Sequence, residues 1–351
     1  MGNEIYSAAV AIGLGAIIGT GLFIPFVAIS YRRRGQLTVG RAVLWAAALV
    51  YFFAIWTYTL LPLPDPDALR CTGVNLRLFA SVDDILAASG WTDPAVLQVL
   101  LNVLLFVPLG FFLRVLGGRG VLTALAVGLG LSLFVETTQL TGVWGVYPCA
   151  YRLFDVDDLV TNTLGAVLGS LIATAIVPRR LWNATVKNAA APHPITRGRR
   201  VLAVVCDALG VWLLGATASV SVQLWLQYVV GDRAAVLDGT AAAIAGSVVP
   251  VVSWFALVMA TGRTLGDLAV QLRYIGGSHS EPVARLLRFA GGIGGCMPLG
   301  LLPSPWSASA FAFALASAVL LFTTERGRGL PGVVAGRQLV DAREHGDTAP
   351  Q

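Results

Sequence analysis

Charge is what this chain has least of. Asp, Glu, Lys and Arg make up 12% of its 351 residues, against roughly 25% in an average soluble protein. Hydrophobic residues reach 56% and the mean hydropathy is +0.75. So few charges cannot clothe a soluble particle of this size. A soluble enzyme, a disordered protein and a nucleic-acid-binding module are excluded. Lysine is nearly absent, with Lys187 alone beside 23 Arg; in an Ala-, Val-, Gly- and Leu-rich chain this points to a GC-rich bacterial source. The histidines are His193, His279 and His345. None has a spaced Cys or His partner, so no zinc site is expected. No Gly-rich loop precedes a helix and no Gly-x-Ser-x-Gly elbow occurs. No cofactor and no metal are expected, and no catalytic residue can be named.

Long apolar runs are what the chain has instead. A helix needs about 20 mainly apolar residues to cross a bilayer, and its backbone must satisfy its own hydrogen bonds there. Such runs occupy 5–29, 42–61, 96–116, 120–141, 159–177, 203–230 and 241–260, with less regular ones at 289–302 and 306–323. Residues 289–302 are Gly-rich and end at Pro303-Ser304-Pro305, so they read as a thin span or a re-entrant segment. The expected class is all-α: a polytopic membrane bundle of eight or nine spans. Basic residues collect on the cytoplasmic side of membrane proteins. Nine spans with the N-terminus outside and the C-terminus cytoplasmic place 20 of the 24 basic residues inside, leaving Arg70, Arg77, Arg152 and Arg233 outside. The net charge of +5 is then a basic face toward anionic lipid. The first span lacks the positive flank of a secretory signal and reads as a retained anchor; Gly15 and Gly19 permit close helix packing within it. Cys71 and Cys149 fall in outside loops where a disulfide is permitted, although spacing does not fix connectivity. Cys206 and Cys296 lie in spans as small apolar residues.

The polar, basic stretch around 179–199 divides the chain. Before it stand an N-terminal anchor (1–41) and a four-span domain (42–178). After it come a second membrane domain (200–324) and a Gly- and charge-rich tail (325–351), expected to be flexible and solvated on the cytoplasmic side. Polar groups inside spans are costly, and in the first half they are level. Asn102, Glu136, Gln139 and Asn162 all fall within roughly 10 Å of the outer interface at 1.5 Å rise per residue. Ser132, Glu136 and Gln139 share one helix face. Above them runs the loop from Tyr151 to Asp158, in which Arg152 offers a fork suited to carboxylate or phosphate and Asp157 and Asp158 suit a helix N-terminus. Asn102, Glu136, Gln139, Arg152, Asp155, Asp158 and Asn162 therefore form either a structural tie or an outward-facing ligand site. Asp155, Asp157 and Asp158 also have the hard oxygens a divalent ion takes, but acidic clusters at helix starts are common. In the second half, Asp207 lies about two turns inside the sixth span, and Arg200 lies on the same side. Together they read as a structural ion pair or an ion-handling carboxylate.

The series Asn102 to Gly110, Ser132 to Gln139 and Arg152 to Gly165, followed by Gly169, resembles the VanZ family across about 42–178. The resemblance implies a multi-spanning protein of the bacterial plasma membrane. Some members confer low-level resistance to teicoplanin-type glycopeptides, and no reaction is implied. Arg200 to Asp207 and Thr264 to Arg273 are similar to the RDD family of membrane domains, across about 196–323, with Asp267 where that family usually has a basic residue. That family implies transport or membrane organisation. Three functions follow as expectations. The first is a non-enzymatic envelope protein that binds a lipid-linked cell-wall precursor, a lipid headgroup or a glycopeptide. The second is an enzyme acting on a headgroup or lipid-linked intermediate, with Glu136 as base. The third is a transporter using Asp207. Membrane lipids are the expected partners, nucleic acid is not, and the oligomeric state is open.

Overall fold

The computed structural model describes residues 2–60, 69–178 and 189–344, with side chains of the first helix described from Ile18 onward. Asp65, Asp67, Arg179, Arg180, Lys187 and His345 lie outside the described residues, and the packing at Gly15 of the Gly15–Gly19 step precedes the first described side chain. The structure is 72% helical. Among the described residues, six helices are long and apolar enough to cross a membrane: Val39–Leu60, Pro94–Val115, Val121–Leu140, Val156–Ile176, Arg197–Val230 and Thr240–Thr261. Each coincides with an apolar run of the sequence. The chain is a helical, multi-pass membrane protein that folds as two compact units, Thr38–Ala184 and a discontinuous one made of Met1–Leu37 with Thr185–Gln351.

In the first of these units four long helices pack together: α2 (Val39–Leu60), α4 (Pro94–Val115), α5 (Val121–Leu140) and α6 (Val156–Ile176), with the short α3 (Ala80–Ala87) between α2 and α4. Their polarity is inside out. On α5, Leu122, Leu125, Leu129 and Leu133 are exposed, whereas Ala124, Gly128, Ser132, Glu136 and Gln139 are buried. Lipid rewards apolar contact outside and leaves polar residues no refuge but the bundle interior. With little hydrophobic drive between helices, small residues set the packing. A Cβ on Gly165 would sit 2.1 Å from the Val103 carbonyl oxygen, and one on Gly169 would sit 1.8 Å from that of Val107. Gly110 approaches the Ala166 carbonyl in the same way. Hence α4 and α6 touch backbone to backbone. Phe106, Ile55 and Ala166 form the apolar core beside them.

The second unit is built around α7 (Arg197–Trp225, prolonged by a π turn over Leu226–Val230) and α8 (Thr240–Thr261). α1 (Gly2–Arg34) docks here. Its Ile24, Val27 and Tyr31 share a core with Ala203, Cys206, Val270, Leu272 and Leu339. The short α9 (Leu265–Ala269) opens with a capping box between Thr264 and Asp267, which satisfies first-turn donors. Next come α10 (Glu281–Ala290), α11 (Ile293–Gly300), α12 (Ala308–Thr323) and α13 (Gly329–Val334).

The run 289–302 does not form one helix. Gly291 and Gly292 break it, and the eight residues of α11 reach only about 12 Å. Yet α10 and α11 together follow α8 in the opposite direction. Arg285 donates to the carbonyls of Met259 and Ala260, 2.6 and 3.2 Å away, and Phe289 stacks edge-on against Phe255. Leu301 lines a hollow with Thr240 and Ala243. α10 is the first half of this broken rod, and its Arg288 is buried.

The tail also differs from expectation. From Glu325 as far as Glu344 it is folded: Gln338–Asp341 pairs antiparallel with Leu272–Ile275, and Leu339, Val340 and Asp341 are buried. Sequence polarity alone misreads this stretch, because its charged residues are consumed in ion pairs. Arg199 meets Asp341 at 2.8 Å, both fully enclosed, and Arg337 meets Glu281 at 2.8 Å. Part of the chain's basic charge therefore serves tertiary structure rather than facing lipid.

Candidate functional site

The level polar residues of the first unit are gathered at one end of α4, α5 and α6. Asp155 caps α6, its side chain accepting from the Asp157 N–H at 2.9 Å. Its other oxygen accepts from the Asn75 side chain at 3.1 Å, beside a two-residue parallel pairing of Val74–Asn75 with Phe154–Asp155. Asp157 is buried and accepts from the backbone N–H groups of Phe79 and Ser81, at 2.7 and 2.8 Å. It thus ties the start of α3, where Phe79 takes a left-handed φ of 66°, to the start of α6. A disulfide joins Cys71 to Cys149 across the same loops. The connectivity left open by spacing is therefore decided by the fold, which brings two segments 78 residues apart into register.

Beneath this clamp, Asn102 donates to Asp158 at 2.6 Å, and Asn162 donates to the Ser132 hydroxyl at 2.9 Å. Ser132 in turn reaches the Asp158 carbonyl at 3.4 Å. Asn102, Ser132, Asp158 and Asn162 are thus one network linking three helices. The side-chain amide oxygen (Oδ1) of Asn162 is buried with no hydrogen-bond partner. Gln139 leaves this group, donating to the Thr59 carbonyl of α2 at 2.6 Å. Glu136 is 3% exposed and accepts from the Asp155 N–H at 3.2 Å. The charges that act on it are Asp158, Asp155 and Arg152. Ser132, Asp157 and Thr59 complete the site. Of these, Thr59 carries no sequence signal, since it contributes only a carbonyl. Next to the site, Val143 and Trp144 hold left-handed φ values of 56° and 57°, a strained conformation for a β-branched and an aromatic residue. The Trp144 indole donates to Thr138 at 3.1 Å.

In the second unit the expected Arg200–Asp207 pair does not form. Arg200 pairs with Asp267 at 3.1 Å, and also donates to the Gly327 carbonyl and the Tyr274 hydroxyl. Asp207 instead accepts from the Gly266 N–H at 2.7 Å. The reason is local. Gly266 lets α9 press on α7, since a Cβ there would sit 1.9 Å from the Ala203 carbonyl oxygen. That approach puts the Asp267 side chain within reach of Arg200 first. Asp267 also takes Arg288. Burial alone would push its carboxyl up, but the Arg288 and Arg200 guanidiniums hold it below the usual carboxylate range. The capping-box pattern Thr264-x-x-Asp267 was the available signal for this hub; its two arginine partners were not legible.

No curated protein and no solved structure matches the chain. The RDD resemblance of the second half is not matched by a family model. Residues 42–178, which hold the clamp, the network and Glu136, match the VanZ/LLP1 family model, and this stretch is a VanZ-like domain.

Proposed function

We propose that this is a nine-crossing protein of the bacterial plasma membrane, N-terminus outside and C-terminus cytoplasmic. In this proposal the VanZ-like domain holds the polar part of a lipid-linked wall precursor, a lipid headgroup or a glycopeptide, and so lowers susceptibility to glycopeptide-type antibiotics. The topology is supported by the sorting of Arg, by the broken rod of α10 and α11 running against α8, and by the Cys71–Cys149 disulfide, which belongs on an oxidising side. One observation carries the binding role. Glu136 is an enclosed carboxylate that accepts a backbone N–H and lies in the field of Arg152, beneath loops fixed by a disulfide and by Asp157. Such a rigid frame around an acid and a guanidinium suits recognition of a polar headgroup. Asn102, Asp155, Asp158 and Asn162 hold the frame, and Gln139 secures it to α2.

The test is a pair of variants in the native host, Glu136→Gln and Arg152→Ala. Glycopeptide susceptibility should rise to that of a deletion strain while membrane abundance stays unchanged. If abundance falls in step with resistance, even for the isosteric Glu136→Gln, these residues hold the fold and nothing else.

A further inference from the structure

Arginines converge on one hollow of the second unit. The hollow has a volume of about 420 Å³ and is lined by Arg263, Arg273, Arg285, Arg288 and Arg337. Among the described residues that line it, Glu281 is the sole acid. That carboxylate is shared between Arg285 and Arg337, at 3.3 and 2.8 Å. Arg288 is held from behind by Asp267. Arg263 and Arg273 meet only carbonyls, those of Leu272 and Asp267 for the first and of Glu344 for the second.

The donors outnumber the acceptors. Arg288 is 4% exposed and Arg337 is 8% exposed. Nε of Arg273, Nε of Arg337, and both Nε and Nη1 of Arg288 are buried without a hydrogen-bond partner. Buried donors left over in a native site call for an acceptor that the chain itself does not supply. Burial lowers the affinity of Arg263 for its proton; Asp267 opposes that, and Arg288, Arg273 and Arg32 act in the same direction as burial. This is uncompensated positive charge in one place, and a chain this short of charge does not accumulate it by composition.

We infer that the hollow binds a phosphate-bearing ligand. Guanidinium donors match phosphate oxygens in geometry and in charge. The phosphate has two sources, a phospholipid headgroup or a soluble phosphate. Arg288 and Tyr274 are shared with a neighbouring cavity of about 420 Å³ whose walls include Val204, Phe313 and Leu321. A headgroup among the arginines would therefore have an apolar space beside it.

The full chain is reconstituted in phosphatidylcholine nanodiscs, with and without phosphatidate. Retained lipid is read by native mass spectrometry. Pyrophosphate is titrated separately into the phosphatidylcholine discs, with thermal unfolding as the readout. Selective retention of phosphatidate supports the site with lipid as its source, and stabilisation by pyrophosphate supports it with a soluble source. Replacing Arg273 and Arg337 together by Gln removes charged donors and should weaken either response by about tenfold or more. Arg326→Gln, an exposed position, should leave it unchanged. Should the double variant not fold, Arg273→Gln alone, which gives up only a carbonyl contact, carries the comparison. A wild-type chain that prefers neither anion overturns the inference, as does a response that falls equally in Arg326→Gln.

Discussion

Asp267 shows how much one side chain carries here. It accepts from Thr264 at the start of α9 and neutralises two buried guanidiniums. Removing one partner of a buried ion pair costs about 3–5 kcal/mol, because the other charge is left without compensation. Asp267→Ala should therefore abolish recovery of folded protein in detergent, whereas Asp232→Ala, on an exposed short helix, should not. Asp341 gives a pH dependence. Burial pushes its carboxyl up, but the N–H groups of Arg343 and His193 and the Arg199 side chain outweigh burial and hold it below the usual carboxylate range. A depressed carboxylate contributes stability that is complete above its unfolded value and is lost as pH falls through the folded one. The unfolding temperature of the full chain should thus drop as pH is lowered below about 4, and Asp341→Asn should flatten that slope. Neither role was readable along the chain. Arg200 and Arg288 stand 67 and 21 residues from Asp267, and spacing says nothing about partners brought together by folding.

At the scale of elements, the crossing helices were legible because lipid imposes a length and a composition. Their contacts follow a second rule, that small residues let backbones meet. Gly165 and Gly169 stand one turn apart on α6, and each would drive a Cβ into a carbonyl of α4. Overpacking costs about 1–3 kcal/mol where side chains can yield. Backbone cannot yield, so Gly169→Leu should cost at least that much, seen as a lower melting temperature and loss of a monodisperse peak in size exclusion. Gly130, which has open space around it, should accept Ala without effect. The broken rod of α10 and α11 escaped the sequence for the opposite reason. Two half-length helices joined at Gly291–Gly292 satisfy no length criterion separately, and only their course along α8 makes them a single path.

At the scale of the molecule, the chain order and the packing order differ. α1 shares its core with the second half of the chain, and the segment after α12 returns to pair with Leu272–Ile275. Deleting everything after Thr324 would take away Asp341 and leave Arg199 buried and unpaired. That truncated chain should lose protease resistance in residues 189–324, while Cys71 and Cys149 remain bonded in the VanZ-like domain. Equal protease resistance in the two chains would show that the returning strand adds no stability. The sequence by itself determined that this is a helical membrane protein, where six of its long helices run, and that a polar layer crosses α4, α5 and α6. Each of those follows from local composition, because a bilayer filters residues by hydropathy over a fixed thickness. Which acid meets which arginine, which cysteine bonds which, and where guanidinium donors are left over were decided only by the tertiary structure. Those outcomes depend on distances of a few ångströms between residues far apart in the chain, and no local pattern encodes them.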